Sequence, residues 1–173
     1  MNIFEYNRII IIGNNGSGKS FLAREIGAIT GLPVTHLDAQ FWGPNWEKPT
    51  KEQWITKQSE FISKEKWIID GNHTETMELR VKNAELIIFL DINRLVCLFS
   101  VLKRYGTKRA DMPQNLEERF DLEFFKFLKG LWTFNKTRKE VINDLHKRYS
   151  HKPFLVLRSR REINNLLKQL NIM

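Results

Sequence analysis

The stretch Gly13-Asn14-Asn15-Gly16-Ser17-Gly18-Lys19-Ser20 constrains this chain more than any other. A glycine, four open positions and then Gly-Lys-Ser is the phosphate-binding P-loop pattern (Walker A). Small residues let consecutive main-chain N–H groups curl into an anion-binding nest. Glycine tolerates the positive φ angles of such a curl and leaves room for a phosphate to approach the backbone. In this reading Gly13, Asn14, Asn15, Gly16, Ser17 and Gly18 form the cradle. Lys19 reaches the terminal phosphates, and the Ser20 hydroxyl takes Mg²⁺. The context agrees. Arg8 to Ile12 is a β-branched apolar run of the kind a buried parallel strand needs. Ser20 to about Ile29 has Leu22, Ile26 and Ile29 at helical spacing. The N-terminus of that helix points its unpaired N–H groups and positive dipole end at the same anion. ATP and Mg²⁺ are therefore the expected cofactors.

Further strands follow at regular intervals. Val34 to Leu37 is short and leads into Asp38. Lys66 to Asn72 carries Trp67-Ile68-Ile69-Asp70, an apolar strand ending in a carboxylate as a Walker B position requires. Glu85 to Asp91 and Pro153 to Leu157 complete five. Alternation of strands with helices predicts one three-layer α/β/α domain over residues 1–173, built on a parallel sheet. Ligands of such sheets bind beyond the carboxyl ends of the strands. Asp38 is thus placed to meet an acceptor, and Asp70 to hold the metal or orient the attacking group. Helices are expected at Lys51–Lys64 (capped by Thr50 with Gln53), around Thr76–Val81, at Leu95–Leu102, Leu116–Phe134 and Lys136–Tyr149, and at Glu162–Leu170.

Several stretches bear on the second substrate. Gln40 to Pro49 is a loop by its Gly, Pro and Asn content, yet it holds Phe41, Trp42 and Trp46. Local packing and a wall of the acceptor site, over about residues 38–64, remain equally open for these rings. Lys103 to Pro113 is basic and interleaved with Gly and Thr, the composition of a lid (about 103–115) closing over polyphosphate, with Arg104 and Arg109 as candidates to neutralise transferring charge. Arg138 is a further arginine able to reach the cleft. Arg158, between the last strand and last helix, is placed to line a nucleotide's base pocket. Arg80 is either a surface or a cleft residue, His73 reads as an ordinary loop histidine, and His36 as a packed core histidine.

Composition narrows the partners. One cysteine, Cys97, excludes an internal disulfide, and no Cys/His spacing suggests zinc. No apolar run approaches the ~20 residues of a membrane span, and the N-terminus lacks a signal peptide's basic start and apolar core. A cytoplasmic protein with no membrane partner is expected. Residues 1–91 carry 10 Lys/Arg against 12 Asp/Glu, whereas residues 92–173 carry 18 against 8. A basic half suits polyphosphate, nucleic acid or a membrane surface, but no DNA-reading motif accompanies it.

The P-loop, the stretch Thr35 to Trp42, Trp67 to Asn72, the strand Leu86 to Asp91, Arg119 to Phe124 and Val156 to Ser159 together resemble the bacterial DNA topology modulation protein (FlaR-like) family. That family is similar to adenylate kinase, shikimate kinase and gluconate kinase. The resemblance implies strand order 2-3-1-4-5, a lid after the fourth strand and an acceptor site near the second strand. It also implies phosphate and Mg²⁺ contacts for Lys19 and Ser20, acceptor and metal roles for Asp38 and Asp70, and lid roles for Arg104 and Arg109, with Arg138 beside them. The expected activity is transfer of the ATP γ-phosphoryl group to a nucleotide or small-molecule acceptor. The alternative is an ATP-dependent DNA-binding or regulatory protein affecting DNA topology.

Overall fold

Four consecutive isoleucines set the architecture. In the computed structural model, which describes residues 2–43, 47–106 and 122–172, Ile9, Ile10, Ile11 and Ile12 lie in strand β1 (Arg8–Gly13) and are all buried. Side chains alternate along a strand, so a run this apolar must be covered on both faces. Ile9 and Ile11 pack with Leu22, Ala23 and Ile26 of helix α1 (Lys19–Thr30) and with Ile163 and Leu167 of α7 (Arg160–Ile172). Ile10 and Ile12 pack on the opposite face with Trp54 of α3 (Lys51–Ile62), Met77 and Val81 of α4 (Met77–Asn83), and Ile142. Burying each such side chain contributes roughly 1.5–3 kcal/mol, so β1 is anchored from both sides before the P-loop begins.

The strands β1, β2 (Val34–His36), β3 (Trp67–Asp70), β4 (Leu86–Leu90) and β5 (Phe154–Leu157) form one parallel sheet in the order β2-β3-β1-β4-β5. This is the expected three-layer α/β/α fold and strand order. The register sets Ile11 beside Asp70 and His36 beside Asp70. The carboxylate of β3 is thereby brought between the strand entering the P-loop and the strand leading to Asp38. At the opposite, N-terminal ends of the strands Arg8 and Glu85 tie β1 to β4 through an ion pair of 2.8 Å.

Local chemistry explains several helix ends. Thr50 and Gln53 form a reciprocal capping box at α3, which satisfies two otherwise orphaned N–H groups. Asn93 caps α5 (Arg94–Arg104) by accepting from the Leu95 amide at 2.8 Å. Three boundaries differ from expectation. Asp38 lies in the first turn of a short helix, α2 (Leu37–Phe41), rather than at the end of a strand. The last helix begins at Arg160, two residues early. The two helices expected at Leu116–Phe134 and Lys136–Tyr149 are, within the described residues, one helix, α6 (Leu122–Arg148). No proline interrupts it, and at 1.5 Å per residue it is about 40 Å long. It runs from one face of the sheet to the other. Phe124 and Leu131 join the core on the α1 side, while Phe134, Ile142 and Leu145 join the core on the α3 side. A helix that crosses the end of the sheet changes its apolar face midway, and that change reads in sequence as a break.

Candidate active site

The loop between β1 and α1 is built from main-chain groups. Gly18 stands at the N-cap of α1 with φ 100°, and a Cβ there would come within 2.1 Å of the Arg160 guanidinium. Gly13 has φ 150°, and a Cβ would meet the Leu90 carbonyl at 2.6 Å. A side chain at either position would force a neighbouring group, the Arg160 guanidinium or the Leu90 carbonyl, out of place. Two side chains from distant elements hold the loop in shape. The Asn72 amide accepts from the Gly13 N–H at 3.1 Å and donates to the Gly13 carbonyl at 2.7 Å. Arg160 donates to the carbonyls of Ser17 and Gly16, both at 2.8 Å, and to the Ser100 hydroxyl at 3.1 Å. Those carbonyls are thereby tied away from a bound anion, while the amides of Gly13, Asn15 and Ser17 are engaged with Asn72, the Asn14 side chain and the Asn14 carbonyl. Asn14 adds a bond to the Leu131 carbonyl at 3.0 Å, which ties the loop to α6 where that helix crosses the sheet.

Lys19 is buried and its Nζ donates to the Asn14 carbonyl at 3.1 Å. Burial pushes its pKa down, Asp38 and Asp70 pull it back up, and Arg104 pushes it further down. These four charged groups therefore share one neighbourhood. The Ser20 hydroxyl donates to Asp70 Oδ2 at 2.8 Å, and His36 Nδ1 lies 2.5 Å from Asp70 Oδ1. Both oxygens of this buried carboxylate are thus held. His36, expected to be only a packed core histidine, is a partner of Asp70. Its position in β2 beside β3 was readable as a strand assignment, but the pairing depended on strand order.

Beyond Asp70 the loop Gly71-Asn72-His73 leads to α4. His73 Nε2 lies 3.3 Å from Asp38 Oδ1. Its ring sits between Phe41 and Trp54, with centroids 4.6 and 4.9 Å away. Phe41 also meets Trp42 and Trp54 edge to face. These rings pack on one another at the end of β2 and β3. Arg80 is not a surface residue, one of the two readings expected of it. It is wholly buried, with its guanidinium donating to Gln58 Oε1, to Thr76 Oγ1 at 3.1 Å and to the Asn72 carbonyl. Burial pushes its pKa down to about 9.

Of the remaining expected residues, Arg138 and Arg158 make no described contact with this cluster. Arg138 lies on α6, two turns past Leu131, and the described contacts join it to neither Lys19 nor Asp70. Arg158 is exposed, and its main-chain amide donates to Glu162 at 2.8 Å. Arg160, two residues on, is the arginine that touches the P-loop. Arg109 and Trp46 lie outside the described residues. Cys97 is buried, and burial raises its thiol to about 11, as expected of a core cysteine.

The residues fit a nucleotide phosphate with Mg²⁺. Gly13, Gly16 and Gly18 hold positive φ angles with no room for a Cβ, and the buried Ser17 hydroxyl has no hydrogen-bond partner among the described residues. No group of three His, Cys, Asp or Glu side chains suited to a metal occurs among the described residues. Mg²⁺ on a nucleotide does not need one, because it takes one or two protein oxygens and completes its shell with phosphate and water.

The sequence matches no protein-family model and no curated protein. Solved structures do match. Shikimate kinase from Acinetobacter baumannii, in complex with shikimate, superposes with TM-score 0.62 at 13% identity, over 98% of this chain and 93% of that one. Shikimate kinase from Bacteroides thetaiotaomicron gives 0.52 at 14% identity, over 96% and 97%. A sugar kinase from Janibacter sp. HTCC2649 gives 0.50 at 17%, over 96% and 95%. At these identities the likeness is one of fold. The chain has the P-loop kinase fold. No helix among the described residues is long and apolar enough to cross a membrane.

Proposed function

We propose that this single domain is a kinase that transfers the γ-phosphoryl group of ATP to a small-molecule or nucleotide acceptor. The observation that carries the reading is the convergence on Lys19 of a glycine nest, the Ser20–Asp70 pair and a second carboxylate, Asp38. Bound MgATP supplies the phosphoryl group and the cation that offsets its charge. Residues 13–20 hold the phosphates, and Arg160 keeps the carbonyls of Gly16 and Ser17 turned away from them. Ser20 Oγ and Asp70 hold the metal side, with His36 fixing the Asp70 carboxylate. Lys19 stabilises charge on the terminal phosphates, and Arg104, at the end of α5, adds to it. Asp38 faces the acceptor and takes its proton. Arg109 and Arg138 are proposed to join Arg104 over the phosphates, and Arg158 to border the base.

Incubation with MgATP and a panel of nucleosides, nucleoside monophosphates, sugars, sugar acids and shikimate tests this reading. The expected result is acceptor-dependent ADP release and a phosphorylated product, both lost in Lys19→Ala. ATP bound tightly with no acceptor turned over would sink it. The DNA-directed alternative draws on the basic second half, where several cations turn inward: Arg160 to the P-loop, Lys139 to Asp91 at 2.8 Å and Lys152 to the carbonyls of Lys82 and Ala84. DNA retention that falls steeply with salt is the observation that would favour it.

A further inference from the structure

Helix α5 is apolar on more sides than it buries. Cys97 and Val101, one turn apart, face the core, and the Cys97 carbonyl lies against Gly16 of the P-loop. Leu95, Phe99 and Leu102 stand at i, i+4 and i+7 and so share one side of the helix, turned away from Cys97 and Val101. All three are exposed, Phe99 by 71%. A helix that is apolar all round needs an apolar surrounding all round, and the core supplies it on one side.

Helix α6 continues this surface. The Arg94 guanidinium lies over the Trp132 ring at 4.0 Å, and the rings of Tyr105 and Phe124 meet at 4.8 Å. The start of α5 is thus beside Trp132 and its end beside the start of α6, so the two helices run side by side in opposite directions. Phe124 and Leu131 take the buried side of α6. Leu122, Phe125 and Trp132 are exposed by 78, 59 and 44%. Six large apolar side chains on adjoining helices make a patch on the several-hundred-Å² scale, which marks an interaction site.

Charge selects the partner. α5 carries three Lys/Arg and no acidic residue, and residues 122–139 of α6 carry five against one. Lys103 follows Leu102, and Lys129 stands between Phe125 and Trp132 at helical spacing; both are exposed. Two copies of this face would bring like charges together. A nucleic acid would answer the cations but offer the leucines nothing apolar to enter. An anionic bilayer answers both: its phosphates meet Lys and Arg heads while their stems lie along apolar surface, and its acyl boundary takes Leu, Phe and Trp. We infer that the α5–α6 face docks on an anionic lipid bilayer, lying in the interface rather than crossing it. The expectation of no membrane partner came from the lack of a spanning run, which an interfacial helix pair does not need. The inference is independent of the kinase reading.

The full chain is sedimented with vesicles of phosphatidylcholine alone and of phosphatidylcholine mixed with phosphatidylglycerol. Retention on the mixed vesicles is expected to exceed that on phosphatidylcholine by about tenfold or more and to weaken as salt rises. Phe99→Ser should lower the partition coefficient about tenfold, the scale of burying one aromatic side chain, and Lys103→Ala about fivefold. Affinity for a fluorescent ATP analogue should stay within about twofold in both, because neither residue touches the P-loop. Phe125→Ser, on the other helix, should repeat the Phe99→Ser loss and carries the test if Phe99→Ser does not fold. Absence of retention on the mixed vesicles, or equal retention on both kinds, overturns the inference. So does a folded Phe99→Ser or Phe125→Ser that sediments like the unmutated chain, which would leave charge alone. A dimer that Phe99→Ser dissociates would assign the face to a second copy, and DNA retention lost in Phe99→Ser would assign it to nucleic acid; either result overturns the lipid assignment.

Discussion

The two walls of the cleft are made in opposite ways. The phosphate wall is eight consecutive residues, and its working groups are main-chain N–H groups shaped by glycine. The proposed acceptor wall is assembled from side chains of α2, α3, β3 and the loop before α4, where His73 has a positive φ and a buried arginine donates to the carbonyls of Asn72 and His73. A wall of backbone can be specified by a short motif because every residue supplies the same N–H group. A wall of side chains needs the sheet order before any of its contacts exist. Asn72 joins the two: its amide grips Gly13 on one wall, and its carbonyl accepts from Arg80 on the other.

Variants on each wall can break or sharpen that division. Lys19→Ala should have the largest effect, lowering both acceptor-independent ATP hydrolysis and transfer by about 10²–10³-fold, the scale for losing one preorganised charge-stabilising donor. Residual transfer near the unmutated rate would show that the phosphate wall is not where charge is stabilised. Next is Arg80→Met. It leaves Gln58 Oε1 and the Asn72 carbonyl without their Arg80 donor, and thermal or urea unfolding should show a loss of about 2–4 kcal/mol. Transfer should fall with it, while the folded fraction keeps its ATP affinity. Equal loss of ATP affinity would mean that the walls are not separable.

Arg160→Ala should do the reverse at smaller scale. Releasing the Gly16 and Ser17 carbonyls is expected to weaken ATP binding about 3- to 10-fold, near 1 kcal/mol, without moving the acceptor KM. A shift in acceptor KM alone would assign Arg160 to the wrong side.

The smallest effect is expected at Glu85, at the N-terminal end of β4, away from the P-loop. Partial burial works to raise its carboxyl, but hydrogen bonds from the Asn7 and Arg8 amides and the Arg8 guanidinium outweigh it and hold the group below the ordinary carboxylate range. A carboxylate with a depressed folded-state pKa stabilises the fold above its unfolded value and loses that contribution as pH falls through the folded one. Glu85→Gln should therefore flatten the acid side of the stability profile below about pH 4.5 and leave both walls unchanged at neutral pH. An identical acid profile in the variant would remove Glu85 from the account.

The contrast between the walls also tells which parts were legible in advance. The P-loop, the buried β1, the terminal Asp70 and the capping box at Thr50 could each be read from neighbouring residues. Arg158 was singled out because it opens the last strand-to-helix loop. The P-loop contact from that stretch is made by Arg160, at the start of α7. His36 and His73 read as ordinary because the carboxylates the structure brings to them are remote in sequence: Asp70 lies 34 positions from the first and Asp38 lies 35 from the second. Arg80 could not be recognised as buried, because a lone arginine on a short polar helix is exposed by default.

By itself, then, the amino-acid sequence determined the strand-loop-helix unit around Gly13–Ser20, the alternation that makes a parallel sheet, and the carboxylates at strand ends. These follow from local periodicity, glycine's backbone freedom and the need to bury β-branched runs. The tertiary structure alone decided which side chains meet across that sheet. It paired His36 with Asp70, brought His73 to Asp38 and set Arg160 against the P-loop. Such contacts depend on strand order and register, which place residues tens of positions apart within 3 Å or so of one another, and no spacing along the chain encodes that distance.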